Sequence, residues 1–300
     1  MKITVAAAQY PITEHSSLDH WRTHIARWVA DAARRGGQLL LFPEYASMEM
    51  VSIFEHPIRS DIRRQVLELQ SVREAFCQTF EALAREWQLI IVAPSFPVLE
   101  EGNIHNRAYV FGPQGLAGYQ DKFFMTRFED EEWGISCGPK VLTLFEASWG
   151  SFGIQICYDV EFSMGSHLLG TAGASLILAP SCTETIRGAT RVHIGARARA
   201  LEAQAYSVVS QTIGDAPWSP AVDINWGFNA VYCTPDLHLP EEGILTRMPP
   251  QEPGWLLQEL DFTHIEQVRT GGQVFNYKDH QRFHSRFSNN EEIQLQRKAI

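Results

Sequence analysis

The stretch Ser151-Phe-Gly-Ile-Gln-Ile-Cys-Tyr-Asp159 runs an apolar strand into a cysteine and, a few residues later, into helical spacing at 162–172. A second apolar strand follows at 175–179, then a helix at 191–206 and a strand at 207–212. Strand and helix in alternation point to a layered α/β architecture rather than a bundle. Upstream, short strands at 107–111, 116–119, 141–145 and 152–157 are separated by turn-sized gaps such as Pro113-Gln-Gly115, so hairpins alternate with the helical segments. The N-terminal part has a strand at 3–9, a helix at 18–35 stopped by Gly36-Gly37, and a buried strand at 38–42 closed by Pro43. A long helical stretch at 58–87 and a strand at 89–93 follow, and strands at 230–233 and 255–261 complete the set. The expectation is a mixed sheet, or a pair of sheets, with helices outside.

The 300 residues carry no repeat and no Gly/Ser/Pro linker, so one domain is expected through residue 275. The tail at 276–300, rich in Gln, Arg and Asn, is expected to wrap a neighbour or to lack fixed order. A hydrophobic content of 45% with 20% charged residues is that of a soluble globular protein. The formal charge of −10 argues against a nucleic-acid partner, which needs clustered Lys and Arg. No apolar run is long enough to span a bilayer, and the N-terminus lacks the three-part pattern of a secretory leader. A cytoplasmic location is the expectation, with no membrane partner. The five cysteines are odd in number and scattered, which disfavours a disulfide framework.

Three residues stand at strand ends with chemistry to offer. Cys157 lies where a strand turns toward a helix, a place that exposes a side chain and gathers backbone N–H groups. Glu44, directly after Pro43, lies at the sheet's C-terminal edge, where partial burial lifts a carboxyl toward the range of a general base. Lys122 is one of only five lysines and lies between Tyr119 and Phe123-Phe124. Taken singly, each has an ordinary reading: a core cysteine, a solvated loop glutamate, a snorkelling lysine. Together they make a thiol, a base and a cation, the parts of a covalent acyl-transfer site that needs no histidine and no cofactor.

At this level the sequence resembles the nitrilase superfamily of carbon–nitrogen hydrolases, over roughly residues 2–275. Leu41-Phe-Pro-Glu44-Tyr resembles its base motif, Gly118-Tyr-Gln-Asp-Lys122 its lysine motif, and Ile156-Cys157-Tyr-Asp-Val-Glu-Phe162 its nucleophile motif. Gly173-Ala-Ser-Leu-Ile-Leu-Ala-Pro-Ser181 and Trp226-Gly-Phe-Asn-Ala-Val-Tyr-Cys-Thr-Pro235 are similar to its later strands. The resemblance implies a four-layer α-β-β-α sandwich that pairs into a homodimer or higher homo-oligomer. It implies hydrolysis of a small amide or N-carbamoyl compound by a Glu44-Lys122-Cys157 triad. It also implies a supporting glutamate after the lysine: spacing back from Gly138 favours Glu131, and Glu129 is the rival. Tyr158, through its backbone N–H, Glu129 and Cys182 are expected to line the substrate site. Ser163 and His167 stand where the family usually has Pro and Arg, and Tyr158-Asp159 after the cysteine resembles the amidase-like branches.

Two other readings compete. One is a papain-like hydrolase with His105 or His193 as base. The other is a non-catalytic dimeric scaffold that keeps the fold. The pairs His20/His24 and His280/His284 have i, i+4 spacing but no third metal ligand in the sequence, so no metal is expected. Trp133, Trp218, Trp226 and Phe228 fall in late loops, where they shape an apolar pocket or pack an interface.

Overall fold

The computed structural model describes residues 1–287, with side chains through Arg282, together with Gln296 and Lys298. Its strands divide between two sheets. The first runs in the order Phe96–Glu100, Asn103–Gly112, Ile90–Val92, Leu39–Leu41, Lys2–Pro11, Gly254–Asp261, and Gly115–Asp121 flanks the free side of Asn103–Gly112. The second runs Phe145–Ala147, Gly150–Ile154, Leu176–Cys182, Tyr206–Asp215, Ala230–Tyr232, Ile244–Arg247. The sheets meet where Tyr10 and Pro11 pair in parallel with Thr212 and Ile213.

The layering follows from the two-residue period of a strand. On Lys2–Pro11, Ile3, Val5 and Ala7 face the core between the sheets, with Leu176, Leu178 and Val208. Ala6, Ala8 and Tyr10 face the other way, onto Trp21, Ile25, Val29, Phe76 and Phe80 of helices Leu18–Arg34 and Arg73–Trp87. A strand apolar on both faces must lie between two layers. The second sheet is covered on its outside by helices Ser163–Thr171 and Ile186–Ala203, with Leu169 and Ala174 packed on Ile177. The result is the expected α-β-β-α sandwich.

Local signals account for the departures. The long helix expected at 58–87 is divided, because Asp61 accepts from Arg64 N and starts Ile62–Glu68 as a new helix before Arg73–Trp87 begins. Thr185 likewise caps its helix by accepting from Gly188 N at 3.2 Å, so that helix begins at Ile186, five residues earlier than its apolar spacing suggested. The strand expected at 141–145 shrinks to Phe145–Ala147, and Ile244–Arg247 is a strand that the sequence reading missed. The first half of the tail forms helix Asn276–Phe287 on its own chain: Tyr277 N donates to Gln204 Oε1 at 3.0 Å, and His280 Nδ1 lies 2.8 Å from Glu202 O. The rest of the tail, Gln296 and Lys298 apart, lies outside the described residues, as does the His284 side chain. No described helix is long and apolar enough to cross a membrane.

Candidate active site

Four chain segments end at one place. Glu44 follows strand Leu39–Leu41, Lys122 follows Gly115–Asp121, Cys157 follows Gly150–Ile154, and Cys182 closes Leu176–Cys182. Crevices at the carboxyl ends of strands are where α/β folds expose backbone and side chains to a ligand. Thr212 Oγ1 donates to Glu44 O at 2.7 Å, fixing this segment at the junction of the sheets. Cys157 opens the 3₁₀ turn Cys157–Glu161 with φ at 47°, and Tyr45, beside Glu44, has φ at 54°. Non-glycine residues held in this left-handed region cluster at functional sites, where the surrounding structure imposes the strain.

Lys122 Nζ lies 2.8 Å from Glu44 Oε1 and 2.6 Å from Glu129 Oε2, with all three side chains buried. Asn106 Nδ2 bridges the two carboxylates, at 2.9 Å from Glu44 Oε1 and 3.1 Å from Glu129 Oε1. Glu129 also accepts from Tyr45 Oη at 2.8 Å and from Thr126 N and Oγ1 at 2.9 Å each. The second oxygen of Glu44 accepts from Cys182 N at 2.9 Å, while Cys157 Sγ lies 3.6 Å from Cys182 O.

This environment separates the two carboxylates. Burial raises the Glu44 pKa; Lys122 opposes the rise and the Glu129 charge adds to it. Burial also works to raise Glu129, but Lys122, the Thr126 amide and Tyr45 outweigh it and hold Glu129 below its ordinary value. Two carboxyls pushed in opposite directions divide the work: one stays ionised and the other can exchange a proton. Lys122 is disfavoured by burial, yet Glu129 and Glu44 hold it firmly protonated. Burial pushes the Cys157 thiol well up, the Glu44 charge adds to this, and Lys122 pulls down without prevailing. A thiol in this state needs a base at the moment it reacts.

The cavity over these groups has a volume of about 490 Å³, and Cys157, Tyr158, Cys182, Trp133 and Val192 are among its walls. Tyr45 and Trp133 pack ring to ring at 4.8 Å. Trp226 and Phe228 belong instead to the core, and Trp218 packs on the cluster beneath the first helix layer.

The glutamate that contacts Lys122 is Glu129, 2.6 Å away, and not the favoured Glu131. Glu131 is 55% exposed and pairs at the surface with Arg127, 2.8 Å away. Residues Glu129–Trp133 wind into one wide helical turn whose carbonyl at Glu129 accepts from Ile135 N. Counting back from Gly138 along an extended loop therefore lands two residues too far along the chain. Asn106, Tyr45 and Thr126 were missed; the adjacency of Tyr45 to Glu44 was the one signal available.

The rival histidines sit elsewhere. His193 stacks on Phe228 with ring centroids 3.8 Å apart, and its nitrogens lie 2.9 Å from Phe228 O and 2.8 Å from Tyr232 Oη. His105 Nδ1 lies 3.3 Å from Ser136 O. Neither lines the cavity that holds Cys157. His20 and His24 are joined by a buried His15, each ring centroid 5.2 Å from it, with His15 Nε2 3.4 Å from Glu49 Oε1. Even so, no group of three or more His, Cys, Asp and Glu among the described residues is arranged to hold a metal ion. All five cysteines are unpaired.

A two-sheet sandwich that brings a buried thiol, carboxylates and an ammonium to its strand ends defines the nitrilase class of fold. The carbon-nitrogen hydrolase profile matches residues 4–268, and the chain belongs to that family. A probable hydrolase of Bacillus subtilis is 29% identical over 280 residues, covering 93% of this chain and 54% of its own length. The chain thus spans about half of that relative. An omega-amidase of Xenopus tropicalis is 24% identical over 212 residues, covering 68% of this chain and 71% of its own. Among solved structures, Nit3 of Saccharomyces cerevisiae, a member of branch 10 of the nitrilase superfamily, superposes with a TM-score of 0.68 at 23% identity, covering 90% of this chain and 93% of its own.

Proposed function

We propose that this protein hydrolyses the C–N bond of a small linear amide or N-carbamoyl compound through a thioester on Cys157. The observation that carries this reading is the contact of one ammonium, Lys122, with two buried carboxylates beside a buried thiol. Cys157 Sγ attacks the carbonyl carbon as Glu44 takes its proton. An ammonium has three N–H donors. Two point at Glu44 and Glu129, which leaves the third for the substrate oxygen, with Tyr158 N–H as the second donor to the oxyanion. Such a donor is worth about 2.7–4 kcal/mol in the transition state. Glu44 then protonates the departing nitrogen as the C–N bond breaks. Water, deprotonated by the same carboxylate, attacks the thioester and releases the acid and the free thiol.

The family assignment and the omega-amidase relative support an amide as substrate class. A homodimer is also part of the proposal. Met164, Leu168, Ile194 and Leu201 are exposed apolar residues on the outer helices Ser163–Thr171 and Ile186–Ala203, a face suited to a second copy. Sedimentation of the protein as a monomer at micromolar concentration would remove that part. The function is tested by ammonia release from a panel of small amides, ω-amides and N-carbamoyl compounds. At least one should be turned over by the wild type and none by Cys157→Ala; equal turnover by both contradicts the assignment.

A further inference from the structure

Asp159 lies two residues beyond Cys157 in the same 3₁₀ turn and is buried. Its carboxylate accepts no bond within its own turn. It reaches instead across to the main chain directly after Lys122: Phe123 N–H donates to both oxygens at 3.1 Å, and Phe124 N–H donates to Oδ1 at 2.8 Å. These amides follow the last residue of strand Gly115–Asp121 and so have no ladder partner of their own there. The Lys122 backbone is held on its other sides, with its N–H donating to Asn106 O at 2.9 Å and its carbonyl accepting from Gly138 N at 2.8 Å. Asp159 alone among these contacts connects the lysine segment to the turn that carries the thiol.

From this geometry we infer that Asp159 is a positioning residue, which sets the separation of the Lys122 ammonium and the Cys157 sulfur by tying their two chain segments together. The inference rests on the hydrolase reading above, in which those two groups act on one carbonyl. The physical reason is that Lys122 and Cys157 extend from strands of different sheets, and Asp159 joins the main chain after the lysine directly to the turn that carries the thiol. Displacing a reacting group by about 1 Å can cost as much as about a hundred-fold in rate. Burial pushes the Asp159 carboxyl up to about 7, against the pull of Lys122 and of the two amides, so the group is held at some cost to the fold. A carboxyl kept in that state is consistent with a role that an apolar residue could not fill.

The test is a double-mutant cycle on full-length protein, read as the rate of Cys157 acylation by p-nitrophenyl acetate with site mapping by mass spectrometry. Asp159→Ala should slow acylation by about ten-fold in the wild-type background while KM changes by less than about two-fold. In a Lys122→Met background the same change should have less than about a two-fold effect, because the group it positions is gone. Equal losses in both backgrounds, or no loss in either, overturn the inference. Asp159→Asn, which keeps the volume and one carbonyl acceptor, replaces the alanine variant if the latter does not fold, and should retain an intermediate rate. Wild-type protein that is not acylated on Cys157 contradicts the hydrolase reading itself, an outcome distinct from failure of the cycle.

Discussion

Lys122 and Glu129 form the shortest ion pair of the buried cluster, 2.6 Å from Nζ to Oε2, seven residues apart and sealed from solvent. Tyr45, Thr126 and Asn106 also donate to Glu129, and with Lys122 they favour its charged form. The Glu129 charge acts in two directions: it keeps Lys122 protonated and raises Glu44. Glu129 therefore tunes the proposed base without having to touch a substrate.

From this, Glu129→Gln should lower kcat/KM for an amide by about 10- to 100-fold, somewhat less than loss of a direct oxyanion donor. Glu131→Gln, at the surface, should stay within about two-fold of wild type. Steady-state ammonia release by the two variants checks this; equal losses would restore Glu131 as the supporting residue.

Glu44→Gln keeps the hydrogen-bonding shape of the side chain but cannot take a proton. General-base participation typically contributes about 10²–10⁴-fold, so turnover should fall within that range. A purely structural Glu44 would leave the rate of the folded variant near wild type.

Arg107 and Asp121 form a buried bidentate pair at 2.7 and 2.9 Å, with the Arg107 guanidinium 3.7 Å over the Tyr119 ring. Asp121 immediately precedes Lys122, so the pair anchors the end of the lysine strand. Asp121→Ala should destabilise the protein by about 1.5–3 kcal/mol, since Arg107 loses its buried bidentate partner and keeps only the more exposed Glu100, 2.7 Å away. Urea unfolding at neutral pH gives the number; a loss under about 1 kcal/mol would contradict the pair's structural role.

His193 supplies a pH dependence of stability. Burial lowers its pKa from 6.5 to about 4, although Gln211 and the Phe228 carbonyl favour the charged ring. A depressed folded-state pKa means that the neutral ring stabilises the fold, fully above the unfolded value of about 6.5. That contribution is lost as pH falls from about 6.5 toward 4. Unfolding free energies at pH 7 and 5 should show this decline in wild type and a shallower one in His193→Gln; parallel declines would contradict it.

Much of this was readable in the chain. The apolar runs before Glu44, Lys122 and Cys157 marked all three as strand ends, and the alternation of strands with helices pointed to sheets covered by helices. What the sequence could not supply was winding and contact. Whether Glu129 or Glu131 turns inward depends on a helical turn that no propensity of Glu-Asp-Glu-Glu announces. Asn106 lies in a strand among other polar residues, and only the approach of two loops, 62 and 23 residues away, gives it two carboxylates to hold. The high thiol pKa of Cys157 arises from burial between segments distant in sequence, which outweighs the lowering by the Lys122 charge.

The most direct measurement is mass spectrometry of the wild-type protein mixed with an amide that it hydrolyses, quenched early and mapped by peptide. Acyl addition confined to the Cys157 peptide is the predicted result. Acylation of Cys182 or Cys233 with Cys157 unmodified, in protein that remains folded, would contradict the account.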